Sequence, residues 1–224
     1  FLSGNGSSVG GVVIDSGTYD WFQNDKYPSL TSPAPEYHGL TFAESFGNLS
    51  YTLYGHAVGL RDLGASQSPM NAYLTLLGIE TLPLRMERHC ANAQVVAEYL
   101  KGHDAVSWVS YAGLKEDKYH DLAARYIPKG AGAVFTFGLK GGFDTGIAFV
   151  EALELFSHLA NIGDSRSLVI HPASTTHRQL TEEQLIAAGA GPEVVRLSIG
   201  IESIDDILAD LAQAFDRCAT ASSG

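Results

Sequence analysis

From about residue 103 onward, short β-branched or aromatic runs alternate with amphipathic stretches. Ala105–Ser110, Ala133–Leu139, Ser167–Ile170 and Val194–Ile199 read as strands. Tyr119–Tyr126, Gly142–Leu159, Thr181–Ala188 and Ser203–Arg217 read as helices between and after them. This order predicts an α/β layer, with helices packed on a sheet. In the strand Ala133–Leu139, Phe135, Phe137 and Leu139 share one face, because side chains alternate along a strand. Thr181 and Gln184 form a capping-box pair, Ser203 and Asp206 a looser one. Gly189 ends its helix.

The first hundred residues follow another pattern. Gly11–Asp15 predicts one short strand. The segment from Tyr19 to Gly39 carries Pro28, Pro33 and Pro35, which forbid regular structure. A connection that long is usually functional. Helical spacing resumes from Thr41 to about Arg61, and again from Pro69 to Leu100 with breaks at Gly78 and Pro83. In the later half of that second stretch Met86, Cys90, Ala93, Ala97 and Leu100 form the core stripe. Arg85, Glu87, Arg88 and Glu98 are expected to face water. The change of pattern puts a domain boundary between about residues 85 and 105. Residues 1–85 read as the end of a larger unit and 86–224 as a smaller α/β domain, joined by a helix over about 69–102.

Composition narrows the function classes. Hydrophobic residues make up 45% and charged residues 17% of the 224 residues, enough to bury a core. The net charge is −11 with no basic cluster, which argues against nucleic acid and anionic membrane surfaces. No run approaches the roughly 18 apolar residues of a membrane span. Cys90 and Cys218 lie far apart with no CxxC spacing, and read as free thiols of a reducing, cytoplasmic setting.

Few residues carry chemistry on their own. Gly4, Gly6, Gly10, Gly11 and Gly17 could admit backbone N–H groups close to an anion. Their spacing departs from GxGxxG, and they precede a strand instead of following one. A turn feeding a strand and a phosphate cradle both remain open. Arg196 is more telling. In Val194-Val-Arg-Leu-Ser-Ile199 the side chains of Val195, Leu197 and Ile199 point one way, and Arg196 points the other with Val194 and Ser198. A guanidinium inside an apolar strand needs a partner, and its planar fork suits a carboxylate. That carboxylate belongs either to a ligand or to one of the chain's 25 acidic residues. His171 and His177 lie six apart, a spacing that fits neither HxxxH nor HExxH, so no metal is assigned. Their stretch, Asn161 to His177, reads as hydrogen-bonding loops around a strand. His89 and Cys90 are adjacent on a helix and diverge by about 100°, which is poor geometry for a nucleophile and base.

Four stretches together resemble a known family: FLSGNGSSVGG, GIETLPLRMERHCANA, SHLANIGDSRSLVIHPASTTH and VRLSIGIES. They are similar to the C-terminal half of the pyridoxal-phosphate enzymes of cysteine and methionine metabolism. PEYHGL, GLRDLGASQSPMNAYL and AVFTFGLKGG are typical of the O-acetylhomoserine sulfhydrylase branch, also called O-acetylhomoserine aminocarboxypropyltransferase. The resemblance runs over nearly the whole chain. It implies an aspartate-aminotransferase-like, fold-type I α/β architecture, with residues 1–85 ending the large cofactor domain and 86–224 forming the small one. In this family a Ser-x-Thr-Lys segment carries the lysine bound to pyridoxal 5'-phosphate. Phe1-Leu2-Ser3-Gly4-Asn5-Gly6 fits the positions after that lysine, with Asn5 departing from the usual His or Gln. The lysine would thus precede Phe1, and no catalytic residue is expected among the 224. Lys26, Lys101, Lys115, Lys118, Lys129 and Lys140 read as surface charges. By the same resemblance Arg196 clamps the substrate α-carboxylate, Asn161 helps that clamp and the Thr176 hydroxyl supports the arginine.

The implied activity is replacement of acetate on O-acetyl-L-homoserine by sulfide or a thiol, giving homocysteine in methionine and cysteine biosynthesis. The implied assembly is a cytoplasmic homotetramer completed by the N-terminal half. O-succinylhomoserine sulfhydrylase and methionine γ-lyase share the clamp and stay as alternatives within the class. A lysine-less partner subunit completing a neighbour's site is the alternative outside it. A dinucleotide site at the opening glycines is disfavoured, for want of any strand–glycine–helix order.

Overall fold

The computed structural model describes residues 1–221. The chain divides into two compact units, one formed by residues 10–72 and the other by residues 1–9 together with the chain from Tyr73 onward. These units divide at 72/73, within the helix that runs from Pro69 to Glu80.

The smaller unit is built from short helical turns. Helices α1 (Pro28–Thr31), α2 (Phe42–Phe46) and α3 (Ser50–Tyr54) are followed by a π-helix, Gly55–Asp62. Pro28 and Pro35 each begin a helical turn. The expectation that prolines keep this segment irregular is corrected on that point, since proline's fixed φ suits the first helical position. The predicted Thr41–Arg61 helix is broken at Gly47, whose φ is 50°. Aromatic packing holds the unit. Trp21 stacks on Tyr51 with ring centroids 5.5 Å apart, and buried Phe42 meets Tyr54 edge-on at 5.0 Å. The predicted strand at Gly11–Asp15 is not formed. Val12, Val13 and Ile14 are 75%, 73% and 88% exposed. A strand needs a hydrogen-bonded neighbour, and among the described residues none pairs with this run.

Helix α4 (Pro69–Glu80) leads into α5 (Leu82–Lys101), with the predicted break placed at Thr81 before Pro83. Beyond them lie β1 (Val106–Ser110), α6 (His120–Tyr126), β2 (Val134–Leu139), α7 (Gly142–Ala152), β3 (Ser157–His158), β4 (Leu168–Ile170), α8 (Glu182–Ala187), β5 (Val194–Ser198) and α9 (Ile204–Ala221). The strands form one sheet in the order β1-β2-β5-β4-β3, antiparallel except for the parallel β3–β4 pair. Ala93, Val96, Ala97 and Leu100 of α5 pack against the sheet with Phe149 and Val150 of α7 and Ile207, Leu211 and Phe215 of α9. Phe135, Phe137, Leu139, Val195 and Leu197 meet them from the strands. The α/β layer expected from the alternation is thus present.

Helix α7 ends at Ala152, seven residues short of the predicted Leu159. The buried Asp210 carboxylate of α9 stops it. Its Oδ1 accepts the Glu154 N–H at 2.8 Å, and its Oδ2 accepts those of Leu155 and Phe156 at 2.9 and 3.2 Å. The turn that would have continued α7 is spent on a side chain from another helix. The capping box of α8 is formed by both predicted bonds, Thr181 with Gln184, and Gly189 follows with φ 68°.

Candidate functional site

Strand β5 lies at the centre of the sheet, and Arg196 lies at the centre of β5. Its register neighbours are Thr136 on β2 and Ile170 on β4. Val195 and Leu197 enter the core with no exposed surface, so the alternation of the strand turns Arg196 to the opposite face. The guanidinium is half-buried. Its Nη2 donates to the Asn161 carbonyl at 3.2 Å. The ion pairs formed by the described residues lie elsewhere, at Arg61, Lys101, Arg166 and Arg217. Among the described residues, no internal carboxylate forms an ion pair with Arg196. Burial alone lowers its pKa from the ordinary arginine value, with no carboxylate opposing the shift. The result is a partly desolvated cation with one neutral acceptor and spare N–H donors, an arrangement chemically able to accept an anion.

The loop between β3 and β4 positions that cation. Asn161 reaches Arg196 through its backbone oxygen, while its side-chain Oδ1 accepts from the Ile162 N–H at 2.9 Å. Gly163 N–H donates to Ser198 Oγ at 3.0 Å, tying the loop to β5 two residues beyond Arg196. Ser165 N–H donates to the Gly4 carbonyl at 2.9 Å, tying the same loop to the opening segment. Burial raises the Asp164 pKa, but hydrogen bonds from Arg166 outweigh it and hold the carboxyl below its ordinary value. The end of β5 is braced again by Glu202, which accepts from Ser167 N–H at 2.6 Å and Ser167 Oγ at 2.9 Å.

Of the three predicted site residues, the structure brings Arg196 and Asn161 together. Thr176 stands apart, exposed, with its hydroxyl 2.8 Å from His177 Nδ1 and no hydrogen bond to Arg196. His171 is buried and fully used: Nε2–H donates to the Pro192 carbonyl at 2.8 Å, and Nδ1 accepts from Ser174 Oγ at 2.9 Å. Arg85 corrects the sequence reading. It does not face water but is 9% exposed, and its guanidinium donates to Thr81 Oγ1, the Phe1 carbonyl and the Gly78 carbonyl at 3.1, 2.8 and 2.6 Å. His89 and Asn92, which the sequence reading did not single out as polar core residues, are buried on the same helix face. The signal was present in the spacing: 85, 89 and 92 fall in phase with the stripe of 93, 96 and 100.

Comparison with known proteins gives this geometry a context. A family model described as Cys/Met metabolism PLP-dependent enzyme matches residues 1–216. The homocysteine synthase of Schizosaccharomyces pombe is 49% identical over 217 residues, covering 96% of this chain and 51% of its own length. The O-acetyl-L-homoserine sulfhydrylase of Leptospira meyeri is 51% identical over 223 residues, covering 96% and 50%. The chain thus spans about half the length of the curated relatives it matches. A crystal structure described as an O-acetylhomoserine (thiol)-lyase of Campylobacter jejuni, carrying a pyridoxyl-lysine monophosphate, superposes with a TM-score of 0.78 at 41% identity, over 87% of this chain and 46% of that one. Cystathionine gamma synthase of Xanthomonas oryzae gives 0.67 at 39%, over 81% and 45%.

The described residues fit the substrate's end of a pyridoxal-phosphate site, where a cation must meet a carboxylate. Lys101 is paired with Glu116 and Lys140 donates to the Asp104 carbonyl. No hydrogen bond or ion pair among the described residues joins a lysine to Arg196 or Asn161.

Proposed function

Because the chain belongs to the family of Cys/Met metabolism PLP-dependent enzymes, we propose that it is the substrate-clamping part of an O-acetyl-L-homoserine sulfhydrylase. The net reaction breaks the Cγ–O bond of O-acetyl-L-homoserine and forms a Cγ–S bond with sulfide or a thiol. Acetate leaves with the electron pair and takes up the proton that the sulfur nucleophile gives up. The names of the relatives support this substrate, and the uncompensated Arg196 guanidinium carries the assignment of the site.

Pyridoxal phosphate, when bound, supplies the electron sink that makes bonds at Cα and Cβ labile. The residues of this chain do the orienting. The Arg196 fork holds the α-carboxylate, fixing which bond at Cα is presented for cleavage. Asn161, through its carbonyl, holds one guanidinium nitrogen so that the others aim outward. Thr176, by family resemblance, is the hydroxyl that supports the arginine. The lysine that anchors the cofactor is assigned to the position before Phe1. In the same reading the whole enzyme is a cytoplasmic homotetramer, and the division into the end of a large domain and a small domain follows the family. No helix among the described residues is long and apolar enough to cross a membrane.

The test is Arg196→Ala in the full-length holoenzyme. Loss of a charged, hydrogen-bonded partner raises KM for the amino acid about a hundredfold, with the cofactor absorbance intact. An unchanged KM rejects the clamp. Acetate release that depends on sulfide supports replacement; release at the same rate without sulfide indicates a lyase.

A further inference from the structure

Helix α5 turns three polar side chains inward, Arg85, His89 and Asn92, spaced by four and three residues. All are buried. A polar side chain is kept inside a protein by its partners, and the partners of these three fall into two groups. Arg85 grips the opening segment. It donates to the Phe1 carbonyl and, through Gly78, to the turn of α4 on which Leu2 and Ser3 lie. His89 and Asn92 grip the chain leaving β5. His89 Nδ1–H donates to the Ile199 carbonyl at 2.6 Å. Asn92 Nδ2 donates to the carbonyls of Gly200 and Glu202 at 3.1 and 3.0 Å. Ile199 lies three residues beyond Arg196.

The His89 ring shows which bond matters. A carbonyl only accepts, so Nδ1 carries the proton and Nε2 is a bare lone pair. Among the described residues that lone pair is buried with no hydrogen-bond partner. An orphaned acceptor costs stability, and the edge of the aromatic pair it makes with Phe1, centroids 5.2 Å apart, does not replace a donor. Among the described residues, the ring's one hydrogen bond is the one to Ile199, at the exit of β5. The loop after β3 closes the other side. Gly163 bonds Ser198, Ser165 bonds Gly4, and a Cβ at Gly163 would stand 2.8 Å from Phe1 Cγ.

We propose that the Arg85–His89–Asn92 face of α5 is a positioning device that holds the segment after the cofactor lysine and the exit of the Arg196 strand in fixed register. The proposal rests on the reading of Arg196 as the carboxylate clamp and of the lysine as preceding Phe1. Arg85 and His89 touch neither substrate nor reacting atoms, so both are positioning residues, and they act on different ends. His89 sets the seat of the carboxylate and affects binding. Arg85 sets the lysine segment and affects turnover.

The test uses the full-length holoenzyme. His89→Phe keeps a ring but removes the donor; His89→Asn keeps a donor nitrogen close to the place of Nδ1. Val96→Ala truncates a fully buried side chain two turns along the same helix and removes none of the three polar contacts. KM and kcat are measured at saturating sulfide, L-homoserine binding by cofactor absorbance, and amide exchange over residues 1–6 and 194–200. His89→Phe is expected to raise KM and weaken L-homoserine binding about tenfold, with kcat within about threefold. Exchange over 194–200 accelerates, and His89→Asn restores KM to within about threefold. Arg85→Lys keeps the charge but loses the fork. It is expected to lower kcat about tenfold, to leave KM within about threefold and to speed exchange over 1–6. Wild-type KM and exchange in His89→Phe overturn the proposal. So does an equal rise in KM in Val96→Ala at matched loss of thermal stability, which reduces α5 to a structural helix. A normal KM in Arg196→Ala beside faster exchange in His89→Phe removes the clamp reading and leaves the tether standing.

Discussion

At Gly78 a hydrogen atom is the largest side chain the packing admits. A Cβ there would lie 2.5 Å from the carbonyl carbon of Ser3 and 2.6 Å from its oxygen, both backbone atoms that cannot swing away. The sequence spacing marked Gly78 as a helix break; the structure keeps it inside α4 and uses it for close approach. Gly78→Ala should destabilise the fold by at least about 2 kcal/mol, against the small gain alanine brings to an exposed helix site. Denaturant unfolding measures it, and a neutral or stabilising result denies the contact. Arg196 was legible because a charge inside an apolar strand is conspicuous. Arg85 was not, because an arginine beside glutamate and another arginine on a helix resembles a solvated face. Only the carbonyls of Phe1 and Gly78, 84 and 7 residues away, show why it turns inward.

Among the elements, the strands and helices after residue 103 came out close to their predicted limits, since each carries its own period and punctuation. The exception, α7, ran long in prediction because Leu153, Leu155 and Phe156 continue an apolar pattern. Three N–H groups held by Asp210 decide its end. Asp210→Ala should cost about 3 kcal/mol, because it strips a charged acceptor from three backbone N–H donors and the Gln213 amide at once. The unfolding midpoint in urea measures it; a loss under about 1 kcal/mol would mean that water replaces the carboxylate. Gly11–Asp15 failed in the opposite direction. Its β-branched run has strand propensity, but a strand exists only against a neighbour, and propensity cannot supply one.

For the whole molecule, acid is the revealing perturbation. Burial lowers the His89 pKa below its ordinary value of 6.5, against the opposing pull of the Ile199 carbonyl. Below that value the unfolded chain takes up a proton that the folded chain refuses, so stability is complete above about pH 6.5 and falls as the pH descends through the folded value. Asp164, also held low, adds the same sign further down, below its ordinary 3.8. Denaturation of the full-length protein between pH 8 and 5 should show stability declining with acid, and less steeply in His89→Asn. An unchanged slope in that variant would remove His89 from the account. Periodicity, punctuation and a misplaced charge were enough to establish the α/β layer, the capping of α8 and the place of Arg196 on the face of β5 away from the core, because each is a property of a few neighbouring residues. The sequence also carried the family, through motifs spread along its length. What only the tertiary structure decided is which polar side chains are inside and what they hold. Besides nearer contacts such as Arg85 with Thr81, Arg85, His89, Asn92 and Asp210 take partners 7 to 110 residues away, and no local pattern specifies where a distant carbonyl or N–H will come to rest.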